Sequence, residues 1–129
     1  MHVAYASETA STQGDPNWFT GAVRLQSLVA SSGGPPVKVF RVQFVAGART
    51  NWHVHSGEQI LVVIQGRCRV QERGQPVFEL ATGDAVSIPA GAEHWHGASL
   101  GGPMVHLAIN VNLETEWRAP VSDEEYAGR

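Results

Sequence analysis

The fold of this 129-residue chain is decided by the stretch GARTNWHVHSGEQILVVIQG, residues 47–66. Side chains two residues apart on a strand point to the same face, so His53 and His55 place two imidazoles side by side. A turn at residues 56–57 and the apolar run after it favour a second strand that folds back on the first. The stretch therefore predicts a hairpin that brings the amide of Gln59 beside the two imidazoles.

The later histidines repeat this spacing. His94 and His96 form another pair two residues apart, and His106 lies in the alternating stretch 104–111. Neutral imidazole is the commonest metal ligand in proteins, and three imidazoles with one oxygen ligand suit a first-row divalent cation. Each histidine has an alternative as a surface residue or a hydrogen-bonded core residue, and His2 is expected to be a mobile terminal residue. Spacing alone leaves both interpretations open.

Short apolar stretches separated by glycine and proline fill most of the chain. Their alternation predicts strands over residues 39–44, 52–55, 59–65, 68–72, 77–80, 85–88, 93–95 and 104–111. Many short strands at close spacing indicate an all-β sandwich or barrel. Ser122 and Glu125 have the form of a capping box, which predicts a short helix over 123–126. Residues 1–16 lack periodicity and are expected to form an N-terminal arm before a single domain over 17–129.

Composition limits the class of protein. Apolar residues make up 43% of the chain and charged residues 16%, at the length of one domain. The net charge of −3 gives no reason to expect nucleic acid or an anionic membrane as a partner. The longest apolar run is far shorter than the roughly 20 residues that span a bilayer, and no secretory signal is visible. We expect a cytoplasmic protein in which the single cysteine, Cys68, is an inert thiol.

Two motifs resemble those of the cupin superfamily. In the first, Gly47 is followed by His53, His55, Gln59 and Gly66 at the family's spacing, and the second has the elements Gly83, Pro89, Gly91 and His94. The resemblance implies a jelly-roll barrel of antiparallel strands with a metal ion inside its mouth. Its metal ligands would be His53, His55, Gln59 and His94. Two positions depart from the usual pattern, since Gln59 stands where the family usually has Glu and Ala98 where it often has Asn.

Further segments resemble the bacterial cupin-type hydroxynitrile lyases. These segments are residues 18–24, 47–53, 93–98, 104–109 and 123–126. The resemblance implies Mn(II) held by three histidines and one glutamine, although Fe, Zn, Ni or Co is an alternative cofactor. It also implies a homodimer or larger homo-oligomer and a small-molecule substrate, a cyanohydrin that is cleaved reversibly to an aldehyde and cyanide. The metal would act as a Lewis acid.

Two histidines outside the ligand set are the catalytic candidates. His106 would take the hydroxyl proton, because the ordinary histidine pKa of about 6.5 suits proton transfer near neutral pH. His96 would protonate or orient the departing cyanide. The alternatives are a His106 ring tied to a backbone carbonyl and a His96 ring that only braces His94.

The residues around the site have both structural and functional interpretations. Phe40, Val42 and Phe44 are expected to form the core or an apolar cavity wall, with Arg41 and Gln43 as weaker cavity candidates. Trp52 and Trp95 have the opposite parity to the ligands, which favours packing outside the barrel or at a subunit contact.

Two other functions stay open beside the lyase. A metal oxygenase, in which open metal positions bind dioxygen, would use the same histidine-rich ligands. A non-catalytic protein that binds a metal or a small ligand is the third interpretation.

Overall fold

The computed structural model of the chain describes residues 1–128, and two antiparallel β-sheets form its body. The strands are β1 (Thr12–Gln13), β2 (Phe19–Thr20), β3 (Val23–Ala30), β4 (Val37–Phe44), β5 (Arg49–Thr50), β6 (His53–His55), β7 (Gln59–Gln65), β8 (Cys68–Glu72), β9 (Phe78–Leu80), β10 (Ala85–Ile88), β11 (His94–Ala98), β12 (Met104–Val111) and β13 (Thr115–Trp117). One sheet has six strands in the order β1-β3-β4-β12-β7-β10, and the other has the central order β13-β6-β11-β5-β2, with β8 paired to β11 and β9 paired to β8.

Alternation along the strands puts the apolar core between the two sheets. Strand β12 lies between β4 and β7, and His106 is opposite Val42 on one side and Val63 on the other. Because alternate side chains face the same way, β4 turns Phe40, Val42 and Phe44 into the space between the sheets. The core cluster continues with residues such as Leu61, Val63, Cys68, Val70 and Met104.

The predicted all-β fold with one short C-terminal α-helix is confirmed. Strands β7, β8, β10 and β12 have the predicted bounds, whereas β11 runs over His94–Ala98 rather than 93–95. The sequence did not predict β3 or the short strands β1, β2, β5 and β13. Within the expected arm, a 3-10 helix covers Ala6–Glu8, and β1 pairs with β3.

The α-helix, α1 (Asp123–Tyr126), has the predicted capping box. The Ser122 hydroxyl accepts from the Glu125 amide, and the Glu125 carboxylate accepts from the Ser122 amide. Packing of Tyr126 against Trp52, Trp95 and Val121 forms a second cluster, separate from the core between the sheets. The expectation that the two tryptophans point away from the ligand face and pack outside the barrel is therefore confirmed.

Buried Arg49 of β5 connects this helix to the sheet through hydrogen bonds and ring packing. Its guanidinium donates to the carbonyl of Val121 at 2.7 Å and to Asp123 at 2.8 Å, and it lies over the Tyr126 ring. The Tyr126 hydroxyl donates to the carbonyl of Ala98, at the end of β11. These contacts join the C-terminal segment to the two strands β5 and β11, which pair with each other next to the histidine region.

Cys68 is fully buried in strand β8, which fits the expectation of an inert thiol. Burial raises the pKa of its thiol to about 12, so the unreactive thiol predominates at neutral pH. Within residues 1–128, we find no helix with the length and apolar character required to cross a membrane.

Gly97 lies where two strands approach closely, and this predicts a large effect of adding one carbon atom. A Cβ atom there would lie 2.3 Å from the carbonyl oxygen of Ala48 and 2.6 Å from Cβ of Arg49. Gly97→Ala should therefore destabilise the fold by about 1–3 kcal/mol or more, since overpacking forces backbone shifts. Gly102→Ala is the matched control because its Cβ would meet no atom within 4 Å. Urea unfolding measures both, and equal midpoints would contradict the packing at Gly97.

Candidate metal centre

A cavity of about 140 Å³ opens between the two sheets and is lined by three of the four predicted ligands, His53, His55 and Gln59. Its polar part contains histidines of β6, β11 and β12 together with Gln59 of β7. Its apolar part is formed by Phe19, Leu25, Phe40, Val42, Phe44 and Ala108. The two sheets therefore bring together side chains that are far apart in the sequence.

The pairing of β6 with β11 brings the two histidine motifs together. His53 and His94 are directly opposite each other, and their ring centroids are 4.2 Å apart. The ring of His55 lies 4.8 Å from that of His53 and 5.1 Å from that of His94. All three side chains are buried. The three imidazoles predicted to act together thus form one cluster.

Backbone carbonyls fix the orientation of two of these rings. Nδ1 of His53 lies 2.8 Å from the carbonyl oxygen of Asn51, and Nδ1 of His94 lies 2.9 Å from that of Ala92. A carbonyl oxygen only accepts hydrogen bonds, so each Nδ1 carries the proton and donates it. Each Nε2 then has a free lone pair, which is the arrangement that a metal-binding histidine requires.

Hydrogen bonds to side chains orient the other two candidate ligands, His55 and Gln59. Nδ1 of His55 lies 3.0 Å from Oγ1 of Thr115, and Nε2 of Gln59 donates to Oδ1 of Asn110 at 2.8 Å. The opposite end of each group, Nε2 of His55 and Oε1 of Gln59, is buried without a hydrogen-bond partner. Nε2 of His94 is buried and unpartnered as well.

These unpartnered atoms fit a divalent cation. A buried acceptor without a partner costs about 1–3 kcal/mol, and three of the four predicted ligands, His55, Gln59 and His94, each have one. Nitrogen and oxygen donors of this kind bind first-row divalent metals, and their alignment by outer hydrogen bonds is typical of metal sites. The donor set consists only of neutral groups, so it would leave the charge of a bound cation uncompensated.

His96 and His106 lie next to this cluster. Nδ1 of His96 and Nε2 of His106 are 3.0 Å apart, so one ring donates a hydrogen bond to the other. Nδ1 of His106 is buried without a partner, which differs from the alternative of a ring tied to a backbone carbonyl. Among the described residues, the group of ligand atoms that all lie within 4.8 Å of one another is that of His53, His94 and His96, which contains His96 in place of the predicted ligand His55. His96 therefore connects the candidate metal ligands to His106.

Burial keeps the histidines of this region neutral. It lowers the pKa of His94 and the pKa of His106 to about 4, because a buried ring loses the hydration of its charged form. The pKa values of His53 and His96 are lowered well below the ordinary value by burial and by neighbouring histidines, and burial also lowers the pKa of His55. The pKa of His106 thus departs from the value of about 6.5 expected from its residue type. At neutral pH these rings have free lone pairs.

Three of the five residues of β4 that the sequence analysis named as core or cavity candidates line the cavity, and two do not. Phe40, Val42 and Phe44 line the cavity as expected. The prediction that Arg41 and Gln43 also line it is wrong, because they have the opposite parity on β4 and face the outer side of the sheet. There, the Arg41 guanidinium donates to Oε1 of Gln26 at 3.2 Å.

Several residues of the site were not singled out by the sequence. Thr115 and Trp117 of β13 line the cavity, and the Trp117 ring lies 4.8 Å from the His53 ring and stacks on exposed Trp18 at 5.2 Å. Thr115 and Trp117 share a face at strand spacing, which is the only signal that the sequence offers for them. The contact of Asn110 with Gln59 was also not predicted, although the alternation of residues 104–111 puts Asn110 on the same face as His106.

Comparisons with known proteins identify the family and the fold. The model of the cupin domain family matches residues 40–110. An (R)-mandelonitrile lyase of Granulicella tundricola is 38% identical over 98% of both chains. A crystal structure of a cupin-like protein from Thermotoga maritima is 41% identical, with a TM-score of 0.85 over 92% of both chains.

The same fold occurs in a protein of much lower sequence identity. The polyketide cyclase RemF of Streptomyces resistomycificus has a TM-score of 0.73 at 17% identity, and the match covers 98% of this chain and 90% of that one. At this identity, the likeness concerns the fold alone. The family match over residues 40–110 includes both histidine motifs and His106, and on these grounds the chain belongs to the cupin domain family.

Proposed function

We propose that this cupin is a metal-dependent hydroxynitrile lyase, which cleaves a cyanohydrin reversibly to an aldehyde and hydrogen cyanide. The observation that carries the proposal is the cluster of neutral donors with unpartnered atoms beside the hydrogen-bonded pair His96–His106. The 38% identity to a protein named (R)-mandelonitrile lyase supports this reaction class.

The proposed metal ligands are Nε2 of His53, His55 and His94 and Oε1 of Gln59. When bound, the cation, Mn(II) in our proposal, supplies Lewis-acid stabilisation of negative charge that develops on the substrate. The protein contributes donors that are already oriented by Asn51, Ala92, Thr115 and Asn110. Because none of the four ligands is charged, the site favours substrates and products that carry or develop negative charge.

The proposed proton acceptor is His106. Its ring is neutral and fully buried among cavity-lining residues, and it is joined to His96. His106 takes the proton of the substrate hydroxyl while the C–O bond becomes a carbonyl and the C–C bond to the nitrile breaks. The electron pair of that bond leaves with cyanide, which takes a proton from the His96–His106 pair. Hydrogen cyanide and the aldehyde are thus formed, and both rings are neutral again.

The apolar half of the cavity is suited to the organic part of the substrate. Phe40, Val42 and Phe44 form one wall, and Leu25 and Phe19 extend it. Such a wall excludes water from the reacting atoms and accepts an aryl or alkyl group by burial of apolar surface. The volume of about 140 Å³ restricts the proposal to small substrates.

The reaction is tested with protein loaded with Mn²⁺ and mandelonitrile in the absence of oxygen. We expect benzaldehyde to be released in step with cyanide, because cleavage consumes no oxidant. The metal-free protein is the control and should be inactive. Lack of turnover in both the cleavage and the synthesis direction would refute the lyase assignment, and substrate loss coupled to oxygen uptake would favour an oxygenase.

Truncation of the proposed base separates catalysis from metal binding. His106→Ala should lower kcat by about 100-fold or more, the usual contribution of general acid–base catalysis, with unchanged metal content by elemental analysis. His106→Gln serves as a second variant that better preserves side-chain volume. Met104→Ala is the matched control, since Met104 is equally buried on the same strand. A fully active His106→Ala protein would contradict the role of this ring.

Removal of a proposed ligand should release the metal. Loss of a partner outside the ligand set typically costs about 10–100-fold in affinity, so His94→Ala should weaken Mn²⁺ binding by at least that much. His2→Ala is the control because His2 is exposed and distant in sequence from both motifs. Binding is measured by equilibrium dialysis and elemental analysis. Wild-type affinity in His94→Ala would exclude His94 from the ligand set.

A further inference from the structure

The four proposed metal ligands differ in the hydrogen-bond partner that orients each side chain. Backbone carbonyls orient His53 and His94, and a substitution of the residue that supplies the carbonyl does not remove this acceptor. Gln59 depends instead on one replaceable side chain, that of Asn110. The dependence matters more for an amide than for an imidazole, because only one end of a primary amide can bind a cation.

A glutamine side chain has two ends of nearly equal size. The oxygen accepts and the NH₂ group donates, so half a turn about the last side-chain bond exchanges an acceptor for a donor. With the NH₂ group facing the cluster, Gln59 would offer no lone pair to a metal ion. Some contact must therefore select the orientation in which Oε1 faces the site.

The structure places Asn110 in the position to make this selection. Asn110 of β12 is directly opposite Gln59 of β7, and its Oδ1 accepts from Nε2 of Gln59 at 2.8 Å. Gln59 is 4% exposed, and its Oε1 is buried without a partner. The hydrogen bond thus directs the NH₂ end of Gln59 toward Asn110 and leaves Oε1 as the end without a partner.

We propose that Asn110 is a positioning residue that selects the oxygen of Gln59 as the fourth metal donor. The inference rests on the metal site of the proposed function but not on its reaction. Asn110 itself does not contact the ion. Its effect on metal affinity passes entirely through the orientation of Gln59.

The first test removes the acceptor. Asn110→Leu should weaken Mn²⁺ binding by about 10–100-fold, the usual effect of losing a partner that orients a ligand. The electron paramagnetic resonance signal of free Mn²⁺, titrated without substrate, measures the affinity. Lys38→Leu is the matched control because exposed Lys38 is opposite Asn110 on the neighbouring strand β4. Circular dichroism melting verifies folding, and Asn110→Ala replaces Asn110→Leu if the latter does not fold.

The second test asks which atom of Asn110 matters. A carboxylate only accepts hydrogen bonds, so Asn110→Asp keeps the acceptor and should bind Mn²⁺ at least as tightly as the wild type. If the NH₂ group of Asn110 were the active end, Asn110→Asp would bind more weakly. Weaker binding in Asn110→Asp therefore overturns the inference.

A double-mutant cycle tests whether the effect passes through Gln59. In a Gln59→Ala background, Asn110→Leu should have no further effect on Mn²⁺ affinity. An equal loss in both backgrounds, or no loss in either, overturns the inference. Failure of the proposed function gives a different result. Normal Mn²⁺ binding without cyanohydrin cleavage removes only the lyase reaction, whereas a wild-type protein that binds no Mn²⁺ removes the metal site and the role of Asn110 together.

Discussion

The close pairing of β6 with β11 is the constraint on which the site depends. It puts His53 directly opposite His94 and so joins two motifs that are separate in the sequence. The alternation of each strand then turns the second histidine of each motif, His55 or His96, to the same side. The pairing also directs Trp52 and Trp95 to the opposite side, where they pack under the C-terminal helix. One pairing thus supplies both a polar cluster and the apolar packing behind it.

Much of this arrangement follows from local rules. The alternation of 104–111 and the apolar run after Gln59 predict β12 and β7 with their observed bounds. Strand β3 was not predicted because polar residues interrupt its alternation. Its pairing with β4 is irregular between Ser27 and Val29, where the register shifts. The two-residue strands β2 and β5 are defined by their pairing with other strands, β2 with β5 and β5 also with β11, which no local pattern records.

The ligand candidates were predictable, but their partners were not. His-x-His spacing by itself indicates which rings share a face of a strand. Thr115 is 60 residues from His55 and Asn110 is 51 residues from Gln59, so both contacts depend on the register of distant strands. Arg41 and Gln43 show the opposite error, since the alternation of β4 already puts them on the outer face. The rule that located the histidines would have excluded these two residues.

The stack of Trp117 on Trp18 gives the molecule an internal optical reporter. Trp117 is one of four tryptophans in the chain, and its indole lies 4.8 Å from the ring of His53. Indole emission depends on the charge and electronic state of groups in contact with it, and a paramagnetic ion at this range quenches it. The emission of Trp117, measured against that of the other three tryptophans, should therefore change when the cluster is occupied, and it needs neither a dye nor a chromogenic substrate.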